Sequence, residues 1–165
     1  MSETTNQIIE KAEAQKSAKK TNIAKNTSAR LHAVQAIYQM HRGGHSAQDV
    51  IEEFKEHRFG VEVDGEKYIY PDVTLFTRIV EGTATRKNDL LEIIKENLKK
   101  GDTVRNVEDL LKAILLCATL ELLDHTEIDA PIIINDYIEV TNAYYGDSEK
   151  ALINATLDKF NKTIR

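Results

Sequence analysis

The chain has 165 residues, within the ~100–200 usual for one domain, and 41% of them are hydrophobic, enough to form one core. With 2 Pro, 7 Gly and no Trp it is too poor in turn formers for an all-β sandwich or barrel, which must turn every ~8–12 residues. One Cys excludes a disulfide framework or multi-cysteine zinc site, no run approaches the ~18 apolar residues of a membrane span, and Met1 is not followed by an apolar signal segment, so a cytoplasmic protein with no membrane partner is expected.

The net charge of −5 hides an asymmetry. Residues 1–30 carry six basic groups against three acidic ones, +3, while the other 135 carry sixteen against twenty-four, −8. Between Ala14 and Arg30 there is no acid at all. A basic arm on an acidic body can touch phosphate locally while the remainder repels it.

In chain order, residues 1–27 form that polar, lysine-rich arm, with few apolar anchors apart from Ile8, Ile9 and Ile23, and are expected to be disordered or transiently helical. The folded domain, 28–165, is expected to open at Ser28 as a helix N-cap. Leu31, Val34, Ile37 and Tyr38 follow on one helical face, up to the Gly43-Gly44 stop. Ser46 with Asp49 three residues on predicts a second capped start, for a helix bearing Val50, Ile51 and Phe54. Residues 61–70 alternate around Asp64-Gly65, the strongest hairpin signal in the chain, and predict a loop or short ribbon. Asp72 should open a helix carrying Phe76, Ile79 and Val80, with a break near Lys87-Asn88 before Leu90, Leu91, Ile94 and Leu98, and a stop at Gly101. The most apolar stretch, Leu110 to Leu122, reads as a central helix buried on two faces. Pro131 suits the first turn of the next helix, Gly146 its end, and Asp147 or Ser148 the cap of the last. The pattern is an all-α single domain of about seven helices.

No catalytic, cofactor or metal motif stands out in this pattern. Gly43-Gly44 lacks the Lys-Ser/Thr of a phosphate loop and breaks the helix that would align His41 with His45. Cys117, in the central apolar run, reads as a small buried hydrophobe. An enzyme is not expected. Two features suggest nucleic acid. The first is the arm, with Lys19, Lys20 and Lys25 leading to Arg30, whose guanidinium would lie beside a helix N-terminus already favourable to phosphate. The second is the turn Ala143–Ser148, where Tyr144 and Tyr145, followed by Asp147, are either packing anchors or a platform for an unpaired base.

Ser28-Ala-Arg-Leu-His-Ala-Val-Gln-Ala-Ile-Tyr-Gln39 resembles the A-R-x-x-A-V-Q-A-L-Y opening of the NusB family of bacterial antitermination factors. Phe76–Gly82 is similar to its F-x-x-L-V-x-G helix, and Leu120-Glu121-Leu122 to its Y-E-L. Ile133–Asp136 resembles V-I-N-E, with Glu139 at the matching offset, and Ile153–Asp158 resembles V-N-G-V-L-D. The resemblance implies two small helical subdomains and a non-catalytic role. It implies pairing with NusE, a small-subunit ribosomal protein, on single-stranded boxA RNA, which helps RNA polymerase read through terminators, notably in ribosomal RNA operons. It places RNA contacts on the arm. The chain departs from the family in having Arg30 and three lysines where many members have several arginines, Leu152 in place of an aromatic, and Leu116 near the usual arginine of the central helix. Lysine lacks the bidentate fork of arginine, so a weaker grip on RNA is expected. An N-terminal domain of a ribosomal RNA methyltransferase is a poor alternative, because no length remains for a cofactor-binding domain. An all-α module that binds only protein is the other alternative.

Overall fold

The computed structural model of the chain describes residues 2–60, 62–63, 66–67 and 69–165. Among them are seven α-helices: α1 Ser2–Gly43, α2 Ala47–Glu53, α3 Val73–Thr85, α4 Lys87–Asn97, α5 Asp109–Asp124, α6 Ala130–Asn142 and α7 Asp147–Ile164. A π-helical turn, Phe54–Arg58, extends α2, and a 3-10 turn, Val104–Asn106, precedes α5. Two short strands, β1 Glu62–Val63 and β2 Glu66–Lys67, pair antiparallel with Glu62 opposite Lys67, so the ribbon is real but minimal. The Asp64-Gly65 turn expected between them lies outside the described residues. No described helix is long and apolar enough to cross a membrane.

Local chemistry explains most of the boundaries. Ser46 Oγ accepts the Asp49 amide at 3.2 Å and Asp72 Oδ1 that of Leu75 at 2.9 Å, which starts α2 and α3 where the sequence expects. Gly44, with φ +68°, ends α1 as a left-handed residue. Pro131 stands in the first turn of α6, and α3 gives way to α4 at Arg86.

Three boundaries differ. Ser28 is not a cap, because α1 runs unbroken from Ser2; the segment before Gly43 contains neither glycine nor proline and is rich in Ala, Lys, Gln and Glu, all good helix formers. The hydroxyl of Ser28 donates instead to the Ile69 carbonyl at 2.6 Å. Helix α4 stops at Asn97, ahead of Gly101, because Leu98 turns into the core in an extended conformation. Gly146 does not end α6, which finishes at Asn142. It precedes α7 as its cap residue, and neither Asp147 nor Ser148 caps that helix.

The core is arranged around α5, which packs against α1, α3, α4, α6 and α7 and has all residues from Ala113 to Leu122 buried. On one side, α1, α2 and α3 enclose an aromatic cluster in which Phe54 stacks on Phe76 at 5.6 Å and Phe59 meets Phe76 edge-on at 4.9 Å. Such pairs add about 0.5–1.5 kcal/mol each beyond their buried area. On the other side, α4, α6 and α7 close over α5 with Ile94, Ile133, Ile153 and Leu157. Gly82 permits the close approach of α3 to α5, since a Cβ there would come within 2.8 Å of the Leu120 side chain. Cys117 is fully buried, and burial pushes its thiol pKa well up, so it acts as a hydrophobe.

Candidate nucleic-acid interface

Arg30 is not where its place in the sequence suggests. Because α1 begins at Ser2, Arg30 sits eight turns inside the helix and faces the core, only 2% exposed. Its Nε and Nη2 donate to the two oxygens of Glu121, at 2.8 and 3.0 Å, and its Nη1 to Asp136 Oδ2 at 2.6 Å. Glu121, itself 0% exposed, also accepts from the Tyr137 hydroxyl at 2.5 Å and lies 3.0 Å from His125 Nδ1. Thr27 completes the arrangement through Asp136 Oδ1 at 2.7 Å. Burial alone would raise the Glu121 pKa, but the hydrogen bonds from His125, Arg30 and Tyr137 outweigh it and hold the carboxyl below its ordinary value. With its guanidinium consumed in this way, Arg30 is withdrawn from the phosphate role and becomes the bolt between α1, α5 and α6. Leu120-Glu121-Leu122, Ile133–Asp136 and the Ala29-Arg30 pair, distant in sequence, meet at this one point.

The remaining expected site residues stay at the surface. Lys19, Lys20 and Lys25 are exposed along α1, as are all its residues from Thr5 to Ile23. Contact with the body begins at Lys25, whose carbonyl accepts the Asp72 amide at 3.1 Å. The two tyrosines behave differently. Tyr145 packs against the core with its hydroxyl buried, and burial together with nearby Glu108 raises its pKa. Tyr144 is 40% exposed, and its hydroxyl accepts from Gln35 Nε2 at 2.8 Å. Asp147 is fully exposed at the start of α7, 3.2 Å from Lys150.

Tyr144 forms one wall of an open groove of about 570 Å³ between α1, the π-helical turn and the α6–α7 turn. Tyr38 also lines it, with the guanidinium of Arg42 5.8 Å from its ring centre. Arg58 lines it too, 5.3 Å from the Phe54 ring; it donates to Gln39 Oε1 at 3.2 Å and lies 3.5 Å from Glu53. Gln39 in turn donates to Glu53 at 2.6 Å. The groove thus offers ring faces, two arginines and two side-chain amides, the groups that stack on bases, neutralise phosphates and read base edges. Glu108 also lines it and sets a limit on how much anion it tolerates.

The sequence reading missed Gln35, Tyr38, Gln39 and Arg42 as site residues, although their i, i+3, i+4, i+7 spacing marks one helical face. Arg58 gives no such signal, because the π-helical turn that aims it has no sequence period.

Comparison with known proteins covers nearly the whole body. Residues 27–162 match the NusB family. The transcription antitermination protein NusB of Sinorhizobium medicae strain WSM419 is 36% identical over 138 residues, 84% of this chain and 86% of that protein. The corresponding protein of Sinorhizobium fredii strain NBRC 101917 is 37% identical over the same shares. Among solved structures, T. maritima NusB superposes with a TM-score of 0.67 at 21% identity, covering 82% of this chain and 89% of that one. NusB from a complex of antitermination factors NusB and NusE with dsRNA gives 0.68 at 14% identity, covering 83% and 96%. The motif residues that meet at the Arg30 bolt, the seven-helix order and these matches lead to one assignment: the chain belongs to the NusB family.

Proposed function

We propose that this chain is a transcription antitermination factor that binds boxA-type single-stranded RNA together with NusE, in the antitermination complex of RNA polymerase, and does no chemistry of its own. The observation that carries the reading is the groove of Tyr38, Tyr144, Arg42 and Arg58, which gathers aromatic and guanidinium groups of the kind that hold an unpaired strand. The relatives named above supply the antitermination role and NusE as partner.

In this reading the two parts differ in role although one helix joins them: residues 1–27 are a basic arm, and 28–165 the body that holds the strand. Lys20 lies eighteen residues, five turns, before Tyr38, so the two share a face of α1 about 27 Å apart. A strand leaving the groove along that face passes Lys20. Lys19 and Lys25 lie on other faces and act as general counter-charge. Asp147 and Tyr145 flank the groove, Tyr145 by holding the turn that presents Tyr144.

The test is a binding measurement with a short boxA-like RNA, alone and with NusE. Tyr144→Ala should weaken binding by between about fivefold and a hundredfold, the worth of one stacked base. A chain that binds NusE yet never shifts the RNA would instead favour a protein-only module.

A further inference from the structure

A second, smaller cavity lies where the last turn of α1 meets α5 and the junction of α3 and α4, with His45 between it and the groove. It measures about 120 Å³, and Ile37, Met40, Ala113 and Leu116 make its floor apolar. Apolar protein cavities of ~150 Å³ take up benzene, so this one fits a slightly smaller body, a branched chain of four or five carbons.

The rim has the opposite character. Lys87 and Lys112 both border it, and both are poorly partnered. Among the described residues, Lys87 Nζ reaches only His41 Nδ1, at 3.4 Å, and Lys112 Nζ only Asp109, at 3.9 Å, although the Lys112 side chain is just 17% exposed. Among the described residues Asp109 is the one carboxylate on the rim, and it already faces His41 at 3.3 Å and Arg42 at 3.8 Å.

We infer that this cavity binds a carboxylate carried on a small branched aliphatic body, with Lys87 and Lys112 holding the anion and the floor taking the hydrocarbon. Charge-assisted hydrogen bonds to two ammonium groups at the mouth of an apolar pocket favour this chemistry over a neutral ligand of the same shape. The carboxylate can come from a free short-chain acid or from the C-terminal residue of a partner protein. The inference is independent of RNA binding, since it shares no argument with the groove.

The chain contains 2 Met, Met1 and Met40, so methyl-labelled methionine gives a single reporter inside the cavity. The full chain is titrated with isovalerate and, separately, with a short peptide ending in a free leucine carboxylate; isoamyl alcohol and the peptide amide serve as uncharged controls. A saturable shift of the Met40 methyl signal is expected for at least one carboxylate, with binding about tenfold tighter than its control. Isovalerate alone succeeding identifies a free acid, and the peptide alone a protein terminus. Lys87→Met with Lys112→Met, both at the rim and checked for unchanged helical content, should abolish that preference while the alcohol binds as before. No Met40 shift with either carboxylate, or equal binding of charged and uncharged forms, overturns the inference.

Discussion

Arg30 cannot serve both the interior and an RNA phosphate, and the geometry settles the choice in favour of the interior. Removing it leaves Glu121 charged, buried and short of two donors, so Arg30→Met should cost about 3–5 kcal/mol, readable as a large fall in the urea midpoint. Loss of RNA binding without loss of stability would put Arg30 back at the surface. Acid acts on the same cluster. Because the folded-state pKa of Glu121 is depressed, its stabilisation is complete above the unfolded value of about 4.3 and is lost as pH falls below it.

His32 titrates earlier. It is 6% exposed, set edge-on to Phe59 at 5.2 Å, and its Nδ1–H donates to the Ser28 carbonyl at 2.7 Å. Burial lowers its pKa, so the unfolded chain takes up a proton first, and stability falls as pH drops below about 6.5. Thermal midpoints at pH 7.5 and 5.5 should differ for the parent and converge for His32→Phe; a His32→Phe variant that keeps the full difference would assign it to another group. None of this is legible locally. A Glu inside the most apolar run signals a buried partner, but nothing in the sequence says that the partner is Arg30, ninety-one residues earlier.

At the scale of elements, the sequence reads well where the chemistry is local. Ser46 and Asp72 start their helices because each accepts the amide three residues on, and Pro131 suits the first turn of its own because its φ is already helical and its missing N–H would have had no partner there. Ser28 and Gly146 mislead for the opposite reason: whether a serine caps or a glycine stops depends on whether the preceding residues stay helical, and here the lysine-rich arm does. The arm nonetheless contributes little to the core. Deleting residues 2–22 should leave the thermal midpoint within a few degrees, and a larger fall would mean that the arm packs on the body. The other end of the chain behaves differently. Arg165 donates to the carbonyls of Leu122, His125 and Ile128, at 2.6 to 3.1 Å, and so caps the C-terminal end of α5. Arg165→Ala should lower stability by about 1–3 kcal/mol in a denaturant titration, because several carbonyls lose their donor together.

For the whole molecule, the proposed function gives the groove and the arm separable contributions to RNA binding. Stacking in the groove is largely insensitive to salt, whereas each lysine of the arm that neutralises a phosphate adds about −0.7 to the slope of log K against log salt. Half of this site was legible in the sequence, as the exposed Tyr144 and the basic arm. The other half was not, because Tyr38, Arg42 and Arg58 become a site only when α1, the π-helical turn and the α6–α7 turn come together. The direct test is the anisotropy of a labelled boxA-like RNA with NusE present, across a salt series, for the parent, Tyr144→Ala and a triple variant with Lys19, Lys20 and Lys25 replaced by Ala. Tyr144→Ala should lower affinity at every salt concentration with the slope unchanged, while the triple variant should flatten the slope by about 2. Unchanged affinity in Tyr144→Ala would contradict the account, because the strand would then lie outside the groove.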